Sequence, residues 1–323
     1  MKKIKLTDDT KKGLLQALLK RSPSQYGAYE KTVAEIISRI REQGDQALFA
    51  CTKEFDHFET NASNILVTEA EIDKAVDALE PEFVKVMEKA ASNIRSFHEK
   101  QVRNSWMDVR EDGSILGQRI LPIARAGVYV PGGKAAYPSS VLMNVIPAKV
   151  AGVPEIIMTT PPSGDGSIDP ATLAAARIAG VDKVYRAGGA QAIAAMAFGT
   201  ESIPRTDKIT GPGNIFVALA KKAVYGHVSI DSVAGPSEIL VLADETANPR
   251  YVAADLLSQA EHDELASAIL ITVSEKLAQQ VETEIEGFLS RLSRREIMEK
   301  SLENYGYILL ADSLSDAIDA ANE

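Results

Sequence analysis

Cysteine is almost missing from this 323-residue sequence. Cys51 stands alone, which precludes an internal disulfide and suits a reducing cytoplasm. Positive charge is short too: 35 Lys and Arg face 45 Asp and Glu, for a net charge of -10. A chain so acidic has no basic stripe to displace counterions from nucleic acid, and it fits an anionic membrane surface poorly. No apolar run comes near the roughly 20 residues that cross a bilayer. The opening MKKIKLTDDTKKG has basic residues but no apolar segment behind them, so it does not read as a secretory signal. These absences predict a soluble, cytoplasmic protein. Chemical fingerprints are missing as well. No G-x-G-x-x-G follows a strand, and neither G-x-x-x-x-G-K-[ST] nor G-x-S-x-G occurs. An ordinary dinucleotide loop, a P-loop and a nucleophile elbow are thereby excluded.

What is present is a chain long enough for two domains, with the 45% hydrophobic and 25% charged content of a globular enzyme. The first hundred residues read as helices. Leu14, Leu15, Leu18 and Leu19 form a short apolar stripe before RSPSQYG, so residues 1–25 are expected to form a helical arm. Val33, Ile36, Ile37 and Ile40 give an amphipathic helix that ends near Gly44. Thr68 and Glu71 make a capping box, and Pro81 opens a long helix through Phe97. Asp112-Gly113 between Val109 and Ile115 predicts a hairpin.

From Ala126 strands and helices alternate. Strands are expected at 126–130, 155–159, 183–185, 207–209, 239–243, 269–273 and 307–310, and Val228 to Ile230 precedes DSVAGPSE. Asp169 caps a helix that runs to Ala179, and Pro249 opens another. Repeated βα units mean an α/β fold, a largely parallel sheet with helices on both faces.

Ligands of such sheets bind beyond the carboxyl ends of the strands. The loops PGGKAAYPSS, AGGAQ and TGPGN are expected there, and their glycines let a ligand approach the backbone. Tyr129 and Tyr137 flank PGG and offer hydroxyls or a ring face, Lys134 offers a cation, and each is as readily an ordinary packing or solvated residue. Ser139, Ser140 and Ser237 lie in loops. Ser237, within AGPSE, suits a ligand hydrogen bond or a backbone cap better than nucleophilic attack. Gln259 and His262 stand three apart at a helix end, so an amide oxygen and an imidazole project from one side. Such a pair is half of a metal or polar-ligand site, or two solvated side chains. His57, His98 and His227 read as surface histidines.

The segments RAGVYVPGGKAAYPSSVLMNVIPAKVAGV, AGGAQAIAAMAFGTESIPRTDKITGPGN, DSVAGPSEILVLAD and DLLSQAEHD, in this order, resemble the histidinol dehydrogenase family. The resemblance covers the whole chain and is densest from Arg125 to Asp263. It implies oxidation of L-histidinol through L-histidinal to L-histidine with two NAD, in histidine biosynthesis, by a zinc-dependent homodimer. It also implies two Rossmann-like parallel-sheet domains, one inserted in the other, with an N-terminal helical arm. The expected divisions are 1–25 for the arm, 26–125 plus 239–323 for the first domain, and 126–238 for the second, with a cleft between the domains. By resemblance, Gln259 and His262 are zinc ligands and contact substrate, Ser237 contacts substrate, and Tyr129, Gln191 and Asn214 line the NAD site. The missing dinucleotide fingerprint is then a family trait.

The chain departs from the family pattern in one respect. No counterpart of the family's Glu-His base pair, of its other two zinc ligands or of a substrate-binding Glu occurs up to Glu323. The expectation is a chain truncated relative to the family, with half a zinc site, no turnover by itself, exposed apolar surface and a weakened dimer. A non-catalytic fragment that binds nucleotide or a small polar ligand is the competing reading. A metal-dependent hydrolase is disfavoured, because no complete metal or triad constellation is present.

Overall fold

The computed structural model describes residues 1–19, 27–132 and 137–323, with the side chains of Leu15, Ala17, Leu18, Leu19 and Ala28 outside that description. Lys134 and most of the expected leucine stripe therefore lie outside the described residues. Contacts divide the chain into two compact units, Met1–Tyr26 with Gly235–Glu323, and Gly27–Ala234. The chain opens in the first of these with β1 (Lys2–Lys5) and α1 (Asp8–Leu19).

The unit 27–234 begins with four helices, α2 (Gly27–Gln43), α3 (Asp45–Phe55), α4 (Glu69–Asp77) and α5 (Pro81–Glu99). The expected capping box is present at α4: the Thr68 hydroxyl accepts from the Glu71 N–H at 3.3 Å, and the Glu71 carboxylate accepts from the Thr68 N–H at 2.9 Å. The predicted hairpin follows as β2 (Trp106–Val109) and β3 (Ile115–Gln118), antiparallel and exposed along its length, with Gly113 at φ +80° in its turn. Four βα repeats and a closing strand then run β4 (Arg125–Tyr129), α6 (Pro138–Val150), β5 (Glu155–Thr160), α7 (Pro170–Ala179), β6 (Lys183–Arg186), α8 (Gly189–Phe198), β7 (Lys208–Thr210), α9 (Ile215–Val224) and β8 (Ser229–Ile230). Their sheet is parallel throughout in the order β6-β5-β4-β7-β8.

The early helices form an outer layer on this same unit. The buried stripe Val33, Ile36 and Ile40 turns α2 onto α8 and α9, while α4 packs on α7 and α5 on α6. Helix α8 is consequently buried from Ala190 to Ala197, and its alanines allow close approach on both sides. The expected grouping of 26–125 with 239–323 is thereby corrected: 27–125 belongs with the second sheet. Periodicity marks which face of a helix is buried but says nothing about which sheet receives it.

The other unit continues with β9 (Glu238–Ala243), α10 (Pro249–Ala260), β10 (Ser267–Thr272), α11 (Glu275–Leu289), α12 (Arg295–Tyr305), β11 (Gly306–Leu310) and α13 (Leu314–Asn322). Its parallel sheet has the order β1-β11-β10-β9. Central β10 is buried at every residue, and its side chains alternate between two cores. Ala268 and Leu270 pack with Leu256 and Ile308, and Ile269 and Ile271 pack with Tyr307 and Leu309. Helix α1 agrees with the expected helical opening. Residues 2–5 add a strand that the sequence did not announce, since KKIK has one apolar residue and gains its extended form by pairing with β11.

Candidate functional site

In the unit 27–234, β4 is the first strand, with β5 and β6 to one side and β7 and β8 to the other. The order reverses between β4 and β7, and α/β sheets bind ligands at such a switch point, beyond the carboxyl ends. Tyr129 closes β4 and Gly211 follows β7. The two backbones are so close that a Cβ on Gly211 would sit 1.9 Å from the Tyr129 carbonyl oxygen. Gly211 has φ +118°, a conformation that requires glycine. A buried ion pair fixes the loop: Lys221, 3% exposed, donates to the Gly211 carbonyl at 2.9 Å and pairs with Asp231, which accepts from the Gly211 N–H at 2.8 Å. Asn214 caps α9 by accepting from the N–H groups of Phe216 and Val217 at 3.1 and 3.2 Å. It is exposed, and its amide NH2 is the donor left to offer a ligand.

The AGG loop after β6 is fixed from two sides. The Tyr129 hydroxyl accepts from the Gly189 N–H at 3.1 Å, and Asp56, at the end of α3, accepts through Oδ2 from the Gly188 N–H and from Gln191 Nε2, both at 3.3 Å. Tyr129 and Gln191 are thus buried below the loop and determine its shape, whereas Asn214 lies at the surface. Burial holds the Tyr129 phenol far above its ordinary range, with the Gly189 N–H acting against the shift and the Asp56 charge adding to it. The phenol is neutral, so its own proton remains available to donate.

Burial pushes the Asp56 carboxyl up to about 6 from an ordinary 3.8, opposed by the Gly188 N–H, the Gln191 amide and His57. The folded unit therefore binds this proton more tightly than the unfolded chain. The resulting penalty is present in full above about pH 6 and is relieved as pH falls toward 3.8. Asp56→Asn keeps an oxygen for both donors and is expected to be more stable than wild type by about 2 kcal/mol at alkaline pH, the difference vanishing near the ordinary carboxyl pKa. Urea unfolding of both proteins across that range checks this. A difference that does not change with pH would contradict it.

In the other unit, the three remaining expected residues are Ser237, Gln259 and His262. Ser237 immediately precedes β9, and its carbonyl accepts from the Ser267 N–H, where β10 begins, at 3.0 Å. Gln259 lies in the last turn of α10, and His262 follows two residues after that helix, its N–H donating to the Gln259 carbonyl at 3.1 Å. Gln259 is half-buried and His262 exposed, and neither side chain is hydrogen-bonded among the described residues. A helix carboxyl end carries partial negative charge, which favours a cation there. Among the described residues the buried Ser267 hydroxyl also has no hydrogen-bond partner. Among the described residues no group of three or more His, Cys, Asp or Glu side chains comes together. Two donors from one helix end fill half of the four positions that zinc takes. These residues alone do not make a zinc site.

The remaining candidates have structural partners or lie at the surface. His98 Nδ1 meets Gln101 at 2.7 Å, His227 stacks on Phe198 at 4.5 Å, and His57 is exposed at φ +57°. Tyr137 precedes α6, and its carbonyl accepts from the Ser140 N–H at 3.0 Å, with Ser139 exposed beside it. Sequence reasoning missed Asp56 and the Lys221–Asp231 pair. Nothing in EFDHFET distinguishes Asp56 from a solvated acid; the one available hint for Lys221 was its place inside the apolar run IFVALAKKAV.

The histidinol dehydrogenase family model matches residues 19–323. A histidinol dehydrogenase of Halalkalibacterium halodurans is 56% identical over 294 residues, 91% of this chain and 69% of that protein. That of Aquifex aeolicus is 56% identical over 308 residues, 95% of this chain and 71% of that one. The crystal structure of histidinol dehydrogenase from Elizabethkingia anophelis superposes with a TM-score of 0.91 at 38% identity, over 100% of this chain and 73% of its own.

Proposed function

The chain belongs to the histidinol dehydrogenase family, and from that premise we propose that it binds NAD on residues 27–234 and carries part of the L-histidinol site at the end of α10. The family match over residues 19–323 supports this most strongly. The switch point between β4 and β7 supports the cofactor assignment, because the expected NAD residues Tyr129 and Asn214 lie at its two strand ends. Gln191 belongs to the same site through the loop that it shares with Tyr129. When bound, NAD supplies the hydride acceptor. The chain's own contribution is a shaped floor, Tyr129 with Gln191 and Asp56, and an amide donor at Asn214.

Ser237, Gln259 and His262 are the proposed substrate contacts. The amide and imidazole at a helix carboxyl end, with no side-chain hydrogen bond among the described residues, suit a cationic amine or a metal ion. Zinc is proposed to take Gln259 and His262 as two of its ligands, and no chemical step is assigned to it, because two donors leave its shell half filled. A second copy of this chain is the proposed partner. The exposed apolar residues Met107, Val109 and Ile115 of the hairpin are the surface it would cover.

The family's Glu-His base pair has no counterpart in these 323 residues, and His262 is the single histidine of its unit. The expected result for the purified chain is substoichiometric zinc and no histidinol-dependent NADH formation, although NAD binds. Full zinc with turnover would overturn this, and other residues or a second chain would then have to supply the base.

A further inference from the structure

Dinucleotide-binding sheets place an acidic residue beyond the second strand, where it receives the ribose hydroxyls, and NADP-binding relatives of that fold accommodate a 2′-phosphate there instead. In the order β6-β5-β4-β7-β8, that second strand is β5, counted outward from β4. It ends in Thr159-Thr160 and continues as Pro161-Pro162-Ser163, with no acid. The next carboxylate, Asp165, already accepts from the Ser167 N–H and hydroxyl at 2.9 and 2.6 Å.

A carboxylate nonetheless stands at this place, and it comes from outside the sheet. A Cβ built on Gly188 would lie 2.6 Å from the Pro161 side chain and 2.7 Å from Asp56 Oδ1, so Asp56 lies between the ends of β5 and β6. The same Pro161 approaches Gly132 after β4, where a Cβ would lie 2.7 Å from Pro161 Cγ. The carboxyl edge is continuous from the switch point to Asp56. Oδ2 receives both hydrogen bonds made to this group, from Gly188 and Gln191, and Oδ1 receives none among the described residues. Among the described residues no lysine or arginine pairs with Asp56. A half-buried carboxylate with an oxygen unused among the described residues is a hydrogen-bond acceptor open to hydroxyl donors, and its charge repels a phosphate.

We propose that Asp56 is the residue that receives the ribose hydroxyls of the cofactor and sets its preference for NAD over NADP. The inference rests on NAD binding at residues 27–234. Calorimetric titration of the full chain with NAD and with NADP tests it. Wild type is expected to bind NAD at least about tenfold more tightly than NADP, since a charge-assisted hydrogen bond is replaced by repulsion. Asp56→Asn retains an oxygen for Gly188 and Gln191 but removes the charge, and it is expected to bring the ratio within about threefold. Asp56→Ala is expected to collapse the ratio in the same way while weakening both cofactors, because it also frees the loop. A ratio unchanged in Asp56→Asn would overturn the proposal and leave NAD binding intact. A wild type that binds neither nucleotide would overturn the cofactor reading itself.

Discussion

Gly211→Ala is expected to destabilise the unit 27–234 by more than about 3 kcal/mol, enough to lose its folded state at moderate urea. Two effects add. The residue has φ +118°, where any L side chain is strained. A Cβ would also meet the Tyr129 carbonyl oxygen at 1.9 Å, with the Tyr129 carbonyl carbon and nitrogen at 2.9 and 3.2 Å. These atoms are backbone and cannot rotate away, so β4 and β7 would have to separate. Gly226 is the internal control. Its φ of +96° is as unusual, but nothing lies within 4 Å of a Cβ there. Gly226→Ala is therefore expected to lose only about 1 kcal/mol. Equal urea midpoints for the two variants would show that the Tyr129 approach is not what fixes the loop.

Asp231→Ala is expected to cost about 3 to 5 kcal/mol, because it leaves the Lys221 ammonium buried with only the Gly211 carbonyl at 2.9 Å. The penalty belongs to the unpaired charge more than to the pair. Lys221→Met combined with Asp231→Asn should therefore recover much of the loss. A double variant as unstable as Asp231→Ala would contradict this, as read by urea unfolding of all three proteins. On the proposed reading of Asn214 as an NAD contact, the pair bears on function through the loop that leads to Asn214. A small loss of this geometry is expected to weaken NAD before the unit unfolds.

Local structure was legible wherever one residue type does one physical job. The Thr68 capping box, the Asp169 cap, Pro81 at its helix start and the Asp112-Gly113 turn all stand where the sequence puts them. The alternation of β4 to β7 with their helices was legible for the same reason. Long-range choices were not. The stripe of α2 and the faces of α4 and α5 declare burial, yet only packing decides that they cover the five-stranded sheet. Strand β1 is set by its partner β11, not by its own four residues. Of the site, Tyr129, Gln191 and Asn214 were named through the family resemblance, and the structure adds that two are buried beneath the loop. Asp56 was illegible, because its role depends on where α3 delivers it, 132 positions from Gly188.

The central claim is that NAD binds at the β4/β7 switch point on a floor shaped by Tyr129 and Gln191. Calorimetric titration of NAD into the 323-residue chain and into Gln191→Ala tests it most directly. The account predicts saturable binding to wild type, weakened about tenfold or more in Gln191→Ala, with both proteins folded at the temperature of the titration. Absence of binding to wild type, or equal affinity in the two proteins, would contradict it.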